Sequence, residues 1–255
     1  MLRPRIIPCL LVHKKGLVKT TQFANSKYVG DPINAVKIFN EKEVDELIVL
    51  DIDASIEKRG PDFTLIKNLA CECRMPLCYG GGISSVEDAV RIINLGAEKL
   101  AINTSAIKNF ELLEEIGKVV GMQSVVVVID VKKNGKGLYD VYIRNGKEKV
   151  DINFEEYLKR LNSINVGEIV INSIDNDGMM KGYDIELAKL ARNLTEMPIT
   201  ILGGAGTYAH LKEMISMFKI IGVAAGSLFV FKGIFRAVLI NYPKKDEKSS
   251  ILKVG

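Results

Sequence analysis

The segment Leu50-Asp51-Ile52-Asp53-Ala54 recurs as Ser173-Ile174-Asp175-Asn176-Asp177, which begins 123 residues later in the chain. Three matches at one offset indicate an internal two-fold repeat. A repeat of about half the chain predicts two four-stranded halves, each unable to close alone, that join into one barrel. The two other matches at this offset pair Gly81-Gly82 with Gly204-Ala205, and Asn103-Thr104 with Gly226-Ser227.

Short apolar runs alternate with longer amphipathic segments, which is typical of a parallel sheet covered by helices. Helical patterns lie between the runs, as at Asp31–Lys42, Ser84–Leu95 and Ile185–Leu194. Eight strand-helix units in this length predict an α/β fold, the (β/α)8 TIM barrel with a two-fold half-barrel repeat. The alternative is an open doubly wound sheet, but no GxGxxG turn follows the first strand. The predicted strands are Arg5–Leu11, Glu46–Asp51, Leu77–Tyr79, Lys99–Ile102, Ser124–Asp130, Glu168–Asn172, Ile199–Leu202 and Gly222–Ala225.

A single barrel domain is predicted over residues 1–242. Within it, the segment 132–151 contains two Asn-Gly pairs that flank the alternating residues Leu138–Ile143, which predicts a hairpin inserted over one barrel end. The polar C-terminal tail, residues 243–255, is expected to fray.

Composition narrows the class of protein. The chain has 255 residues, of which 47% are hydrophobic and 26% charged, so it can bury a sizeable core. It has no apolar stretch long enough to span a membrane, which predicts a soluble, cytoplasmic protein without a membrane partner. The net charge is +4, but no basic block carries interleaved aromatic residues, so nucleic acid is not an expected partner.

The four cysteines and two histidines are too few and too scattered for a zinc site. Cys9, Cys71, Cys73 and Cys78 form no CxxC pair, and we expect free, buried thiols. No metal and no cofactor is therefore predicted, although a carboxylate magnesium site stays open.

Glycine clusters after the predicted strands resemble anion-binding loops, because glycine lets the backbone approach a phosphate closely. The segment Gly203-Gly204-Ala205-Gly206 is followed after the next predicted strand by Gly226-Ser227. The internal repeat gives an equivalent pair in the first half of the chain, Gly80-Gly81-Gly82 with Asn103-Thr104. Two such cradles on one barrel face predict a phosphorylated small-molecule ligand with a phosphate at each end. The alternative is that these glycines only form tight turns.

Three aspartates follow apolar runs and are expected at the barrel mouth, because burial of an unpaired carboxylate is costly. Asp130 ends Val125–Ile129, and catalysis or substrate contact is its favoured role. For Asp51, a ligand contact and a structural role in its loop remain equally open. Asp177 lies in the second copy of the repeat.

Nine stretches along the chain share an order and spacing with a known family. They are Arg5-Ile6-Ile7-Pro8-Cys9-Leu10, Gly30-Asp31-Pro32, Asp45-Glu46-Leu47, Leu50-Asp51-Ile52, Gly80-Gly81-Gly82-Ile83, Ile102-Asn103-Thr104, Val127-Val128-Ile129-Asp130, Ser173-Ile174-Asp175-Asn176-Asp177-Gly178 and Gly203-Gly204-Ala205-Gly206. These stretches resemble the cyclase subunit of imidazole glycerol phosphate synthase, the HisF family, and the likeness runs from about Leu2 to Tyr242.

The resemblance implies a lyase-type synthase. In the family, the barrel takes ammonia from a glutaminase partner through its interior and adds it to a bisphosphorylated ribonucleotide intermediate, closing an imidazole ring. Lys19 matches the family's loop lysine near the substrate, although it could also be one more solvated charge. The implied phosphate contacts are Gly82, Asn103 and Thr104 at one end, and Asp177, Gly178, Gly204, Gly226 and Ser227 at the other.

The resemblance also implies a ring of charges at the bottom of the barrel, which gates ammonia entry. The matching positions are Arg5, Glu46, Lys99 and Glu168, each at the start of a predicted strand. Two acids and two bases at these positions can pair with one another. A purely stabilising ring is the alternative, but retention of all four residue types favours the gate and, with it, a HisH-like glutaminase partner.

One departure from the family pattern concerns catalysis. The family uses two repeat-related aspartates, and Asp130 fills the second position whereas Leu11 occupies the first. Leucine cannot transfer a proton, and loss of one member of an acid/base pair typically costs on the order of 10²- to 10⁴-fold in rate. Ordinary cyclase activity should therefore be weak unless another group substitutes, and His13 is near in sequence only.

Asn172 and Leu202 also stand where the family usually has small hydroxyl residues, which predicts a reshaped pocket. This combination resembles a paralogous branch associated with surface-glycan biosynthesis, in which HisF-like and HisH-like proteins supply ammonia to an ATP-dependent sugar amidotransferase. We therefore expect, first, a synthase subunit of a glutamine amidotransferase complex for sugar amidination. The second possibility is a cyclase of histidine biosynthesis, and the third is a non-catalytic ammonia conduit that binds a phosphorylated ligand. Leu11 argues against the second, and Asp130 mildly against the third.

Overall fold

The computed structural model describes residues 3–253. The first two residues of the predicted domain (1–242) and the last two residues of the predicted tail (243–255) lie outside this range. The strands within it are β1 (Arg5–His13), β2 (Gly16–Thr21), β3 (Ala24–Gly30), β4 (Leu47–Asp51), β5 (Leu77–Gly80), β6 (Lys99–Ile102), β7 (Val125–Lys133), β8 (Tyr139–Ile143), β9 (Glu148–Asn153), β10 (Glu168–Ser173), β11 (Ile199–Leu202), β12 (Gly222–Ala225), β13 (Phe231–Lys232) and β14 (Ala237–Val238).

The helices lie mostly between the barrel strands. In the described chain they are α1 (Pro32–Glu41), α2 (Ala54–Glu57), α3 (Phe63–Glu72), α4 (Val86–Asn94), α5 (Thr104–Lys108), α6 (Glu111–Val120), α7 (Phe154–Asn162), α8 (Ile185–Leu194), α9 (Tyr208–Phe218), α10 (Ser227–Val230) and α11 (Lys245–Leu252), with a 3-10 turn at Met122–Ser124.

Eight parallel strands close into a barrel. Their order is β1, β4, β5, β6, β7, β10, β11 and β12, and β12 pairs back onto β1 with Arg5 opposite Gly222. β10 follows β7 in the barrel and pairs with it in parallel, with Asn172 opposite Asp130. This arrangement confirms the (β/α)8 barrel and excludes the open doubly wound sheet, because a closed barrel has no free strand edges.

The core has two layers, as expected for a sheet buried on both faces. A large apolar layer lies between the strands and the surrounding helices, which bury residues such as Phe39 in α1 and Leu69 in α3. A smaller cluster fills the barrel interior and is made by Ile7, Cys9, Ile48, Cys78, Ala101, Val126, Val128, Val170, Leu202 and Ala224, with Leu11 and Leu50 packed against it.

Helix boundaries follow local capping signals. The carboxylate of Asp31 accepts a hydrogen bond from the Asn34 amide, and Pro32 occupies the first turn of α1. Ser85 accepts from the Asp88 amide in the same way at the start of α4. The predicted helix Ile185–Leu194 matches α8 at both ends.

Two barrel strands extend two or three residues past their predicted ends, whereas β5 and β10 exceed theirs by one residue. β1 continues to His13 and β7 to Lys133, because each leaves the barrel as one arm of an antiparallel hairpin, β1 with β2 and β7 with β8. Of the two Asn-Gly signals, Asn134-Gly135 lies in the turn between β7 and β8, and Asn145-Gly146 lies in the turn between β8 and β9. The hairpin β2–β3 gave no such signal, since its turn residues Gln22 and Phe23 adopt positive φ angles without glycine.

The expectation that the C-terminal tail frays is wrong for residues 245–252, which form α11. Ile251 is buried, and the Lys248 ammonium lies 2.9 Å from an Asp45 carboxylate oxygen, so the helix is anchored against the barrel.

None of the helices in residues 3–253 is both long and apolar enough to cross a membrane. The four cysteines are free thiols, but only Cys9 and Cys78 are buried; Cys73 is half-buried and Cys71 is exposed, so the expectation of buried thiols is wrong for these two.

Candidate functional site

A cavity of about 460 Å³ opens at the carboxyl ends of the barrel strands. Residues from all eight barrel strands, or from the loops that follow them, line it. The structure brings together at this cavity all the predicted catalytic, substrate and phosphate positions: Leu11, Lys19, Asp51, Gly82, Asn103, Thr104, Asp130, Asp177, Gly178, Gly204, Gly226 and Ser227.

Asp130 lies at the base of this cavity and is held by two side-chain amides. The amide nitrogen of Asn172 donates to one carboxylate oxygen at 3.0 Å, and that of Asn103 donates to the other at 3.3 Å. Burial raises the pKa of Asp130 to about 7, an effect that the Asn172 hydrogen bond partly offsets. The carboxyl can therefore gain or lose a proton near neutral pH, as a general acid or base must.

Asn172 also has an acceptor that is not used within residues 3–253. Its Oδ1 atom is buried without a hydrogen-bond partner there. Buried polar atoms are normally paired, so such an atom in a cavity wall is a candidate ligand contact.

The opposite part of the cavity floor is apolar. Leu11 pairs with Leu50 across β1 and β4, and both pack on the interior cluster that includes Leu202. His13, which is near Leu11 in sequence, does not replace the missing acid at the cavity. Its Nδ1 lies 2.7 Å from an Asp53 oxygen, and its side chain does not line the cavity.

Asp51 is engaged in its own loop. Arg59 donates to both of its carboxylate oxygens, at 2.8 and 2.9 Å, and the backbone amides of Asp53 and Ala54 donate to one of them. Such a bidentate pair is a strong interaction. Between the two roles that the sequence left open for Asp51, this geometry favours the structural one.

Lys19 and Asp177 face the cavity from the β2–β3 hairpin and from the loop after β10. The Lys19 ammonium is buried and donates to the Cys9 carbonyl, and burial lowers its pKa. Asp177 accepts from the Thr20 hydroxyl at 2.6 Å and from the Phe23 amide at 3.2 Å, and burial raises its pKa. These contacts tie the hairpin over the mouth, so Lys19 is not a freely solvated charge.

The two predicted cradles lie in the cavity wall. Gly82 has φ +75°, and a Cβ there would lie 2.6 Å from the Arg59 carbonyl oxygen, so the turn itself requires glycine. This observation also fits the alternative in which glycine serves only the turn. In favour of anion binding, the backbone amides of Gly82, Thr104, Gly204 and Ser227 are not among the donors of backbone–backbone hydrogen bonds in the turns, loops and caps of residues 3–253.

The four charged residues form one connected ring at the opposite end of the barrel. Arg5 donates to Glu46 and, at 2.6 Å, to Glu168, while Lys99 lies 2.8 Å from each of the same two carboxylates. Thr200 adds a hydroxyl hydrogen bond to Glu168. Burial alone would raise the pKa of Glu168, but Arg5 and Lys99 hold it below its usual value.

Two arginines in the cavity wall were not identified from the sequence. Arg59 follows Glu57 and Lys58 in a charged run, which gave no reason to single it out. Arg144 occupies the turn of the β8–β9 hairpin. The Asn145-Gly146 turn signal beside it placed this residue on the hairpin tip, but the sequence did not show that the tip faces the mouth.

Comparison with known proteins identifies relatives along nearly the whole chain. A family model described as "Histidine biosynthesis protein" matches residues 5–236. A Leptospira interrogans protein provisionally named imidazole glycerol phosphate synthase subunit HisF is 53% identical over 252 residues, 98% of this chain and 99% of that protein. A Vibrio vulnificus (strain YJ016) protein, provisionally named subunit hisF3, is 50% identical over 255 residues, 100% and 98% of the two chains. Subunit HisF of Methanococcus vannielii is 41% identical over 234 residues, 84% and 86% of the chains.

Proposed function

The chain belongs to the histidine biosynthesis protein family as a HisF-type subunit, and on this premise we propose that it handles ammonia in a glutamine amidotransferase complex. A HisH-like glutaminase would release ammonia at the bottom of the barrel. The acceptor would be a sugar, amidinated by an ATP-dependent amidotransferase during surface-glycan biosynthesis, rather than the ring-closing intermediate of histidine biosynthesis.

One observation carries the ammonia step: a balanced charge ring, an apolar interior and a titratable acid follow one another through the barrel. The ring joins Arg5 and Lys99 to two carboxylates, and beyond it lie side chains such as Val128 and Val170. Neutral ammonia can cross an apolar interior at little cost, whereas ammonium would lose its hydration. Asp130, at the far end, can exchange one proton near pH 7.

Two features favour an acceptor other than the histidine-pathway intermediate. Leu11 presents no proton donor at the first of the two acid positions, and its neighbourhood with Leu50 and Leu202 is apolar. Among the relatives compared, identity is higher to proteins with provisional names than to the Methanococcus subunit HisF. Both features support a specialised branch of the family.

The test is complementation of a histidine auxotroph that lacks its cyclase subunit. We expect no growth with the unchanged chain. Growth at the rate given by an ordinary HisF would overturn the proposal in favour of the histidine pathway. Leu11→Asp tests whether the missing acid is the only obstacle, and Leu11→Asn is its matched control, since asparagine is similar in size but carries no acid.

The glycan step needs a separate readout. Cells grown on glutamine with nitrogen-15 in the side-chain amide should incorporate the label into an amidino group of a surface sugar. Deletion of the gene for this chain should abolish that label, and an Asp130→Asn copy should report whether the mouth acid takes part. Unchanged labelling after deletion would refute the role in sugar amidination.

A further inference from the structure

The turn of the β8–β9 hairpin reaches the first cradle through Arg144. The backbone amide of Arg144 donates to the Thr104 hydroxyl oxygen at 3.2 Å, and its guanidinium donates to the Ile56 carbonyl at 3.3 Å. The side chain lines the cavity and is 30% exposed. Arg144 therefore lies beside Thr104, which the HisF resemblance implies as a phosphate contact.

The Arg144 guanidinium has hydrogen-bonding capacity to spare. Its carboxylate contact is with Glu148 at 3.5 Å, a long distance to a half-exposed acid that also contacts Lys108 at 3.8 Å. Arg59, the other arginine in the cavity wall, is held by Asp51 and Glu57 at 2.7 to 2.9 Å. An incoming anion could therefore recruit Arg144 without breaking a strong ion pair.

The turn holds Arg144 in a conformation that a side chain rarely adopts. Arg144, Asn145 and Gly146 have φ angles of +54°, +56° and +72°, three left-handed residues in succession. Phe23 of the β2–β3 hairpin packs on this turn, because a Cβ on Gly146 would lie 2.8 Å from its ring. Strained positions that the surroundings maintain are concentrated at functional sites.

We propose that Arg144 is an additional anion ligand of the first cradle and binds the terminal phosphate of a phosphate monoester. A planar guanidinium can contact two oxygens of a dianionic phosphate at once, beside the backbone amides of Gly82 and Thr104. This assignment rests on the phosphorylated ligand of the proposed function. It makes the hairpin part of the binding site and the first cradle selective for a terminal, doubly charged phosphate.

The experiment is a site-resolved titration of the full chain with inorganic phosphate, followed by amide nitrogen-proton NMR. The amides of Gly82 and Thr104 report the first cradle, and those of Gly204 and Ser227 report the second. In Arg144→Gln we expect the Kd at the first cradle to rise about tenfold to a hundredfold, as for a lost charged hydrogen bond, and the second to stay unchanged. Arg144→Lys should fall between, because lysine keeps the charge but loses the planar fork.

The matched control is Lys147→Gln, which removes the same charge from an exposed site on the same hairpin. It should change the first-cradle Kd by less than about twofold. If Arg144→Gln behaves like this control, the role of Arg144 is refuted while phosphate binding stands. If neither cradle responds to phosphate in the unchanged chain, the phosphorylated ligand and this inference fail together. If Arg144→Gln disturbs the hairpin before phosphate is added, the comparison of Arg144→Lys with Lys147→Gln decides.

Discussion

Asn172 and Asp130 face each other on adjacent strands of the barrel, and the amide of Asn172 donates to the carboxylate of Asp130 at 3.0 Å. The pair is buried at the base of the cavity, and the Oδ1 atom of Asn172 has no hydrogen-bond partner in the described part of the chain. One residue thus both moderates the proton affinity of the acid and offers an acceptor to a ligand.

Asp130→Asn should stabilise the protein more at alkaline than at acidic pH. The folded-state pKa of about 7 exceeds that of an unfolded aspartate, so stability is lost as the pH rises toward 7. The variant has no carboxyl to titrate at this position. Its free energy of unfolding relative to that of the unchanged protein should therefore rise by about 3 kcal/mol between pH 5 and pH 8. Urea unfolding at both pH values measures it. Asp151→Asn, at an exposed site, is the control, and equal pH dependence in both variants would contradict the prediction.

Asn172→Leu should raise the pKa of Asp130 further above its usual range. The Asn172 hydrogen bond favours the charged carboxylate, and leucine removes it at similar volume. Carbon-13 NMR of the aspartate carboxyl follows the titration directly. Asn162→Leu removes an amide at the end of α7 that donates to the Leu194 carbonyl and does not line the cavity, so it should leave the midpoint in place. A midpoint that falls in Asn172→Leu would show that this hydrogen bond does not control the acid.

Lys99→Met should destabilise the protein by about 3 kcal/mol, because it leaves Glu46 and Glu168 to share Arg5 alone in a buried setting. Adding Glu46→Gln removes one charge of the opposite sign, so the double variant should lose less than the sum of the two single changes. A double-mutant cycle measured by urea unfolding gives this coupling. Strict additivity would mean that the four residues do not act as one ring.

Thr20→Val should loosen the β2–β3 hairpin from the barrel mouth. It deletes the 2.6 Å hydrogen bond to Asp177 and should cost about 2 kcal/mol, as for a hydrogen bond to a charged group. Hydrogen exchange at the Gln22 and Phe23 amides should accelerate, since both donate to Asp177. Thr21→Val, on the neighbouring residue, should change neither. Unaltered exchange in Thr20→Val would mean that other contacts hold the hairpin.

The barrel was predictable where apolar runs have sharp ends. The strands Lys99–Ile102, Ile199–Leu202 and Gly222–Ala225 match their predictions residue for residue. The first two are bounded on both sides by a polar or turn-forming residue, and the third begins at a glycine and is followed by one, although the apolar Ile221 precedes it. The β2–β3 hairpin was not predictable in this way. Its strands are short and partly polar, and its turn lacks glycine, so tertiary contacts such as Thr20 with Asp177 decide it.

Some site residues were predictable from the sequence and others were not. Twelve positions named from the repeat and the resemblance line one cavity, because residues at equivalent strand ends converge in a closed barrel. The partners that tune them were not visible in the sequence. Whether Arg59 would bind Asp51, or Arg144 would reach Thr104, depends on loop conformations that no local pattern specifies.

The charge ring makes the two half-barrels depend on each other. Arg5, Glu46 and Lys99 come from the first repeat, and Glu168 comes from the second. Taken apart, the first half would bring a surplus cation to its floor and the second a lone anion. The charges at the bottom of the barrel therefore balance only when the two different halves join. Pairing of two identical halves would leave an excess of one charge there, which disfavours it.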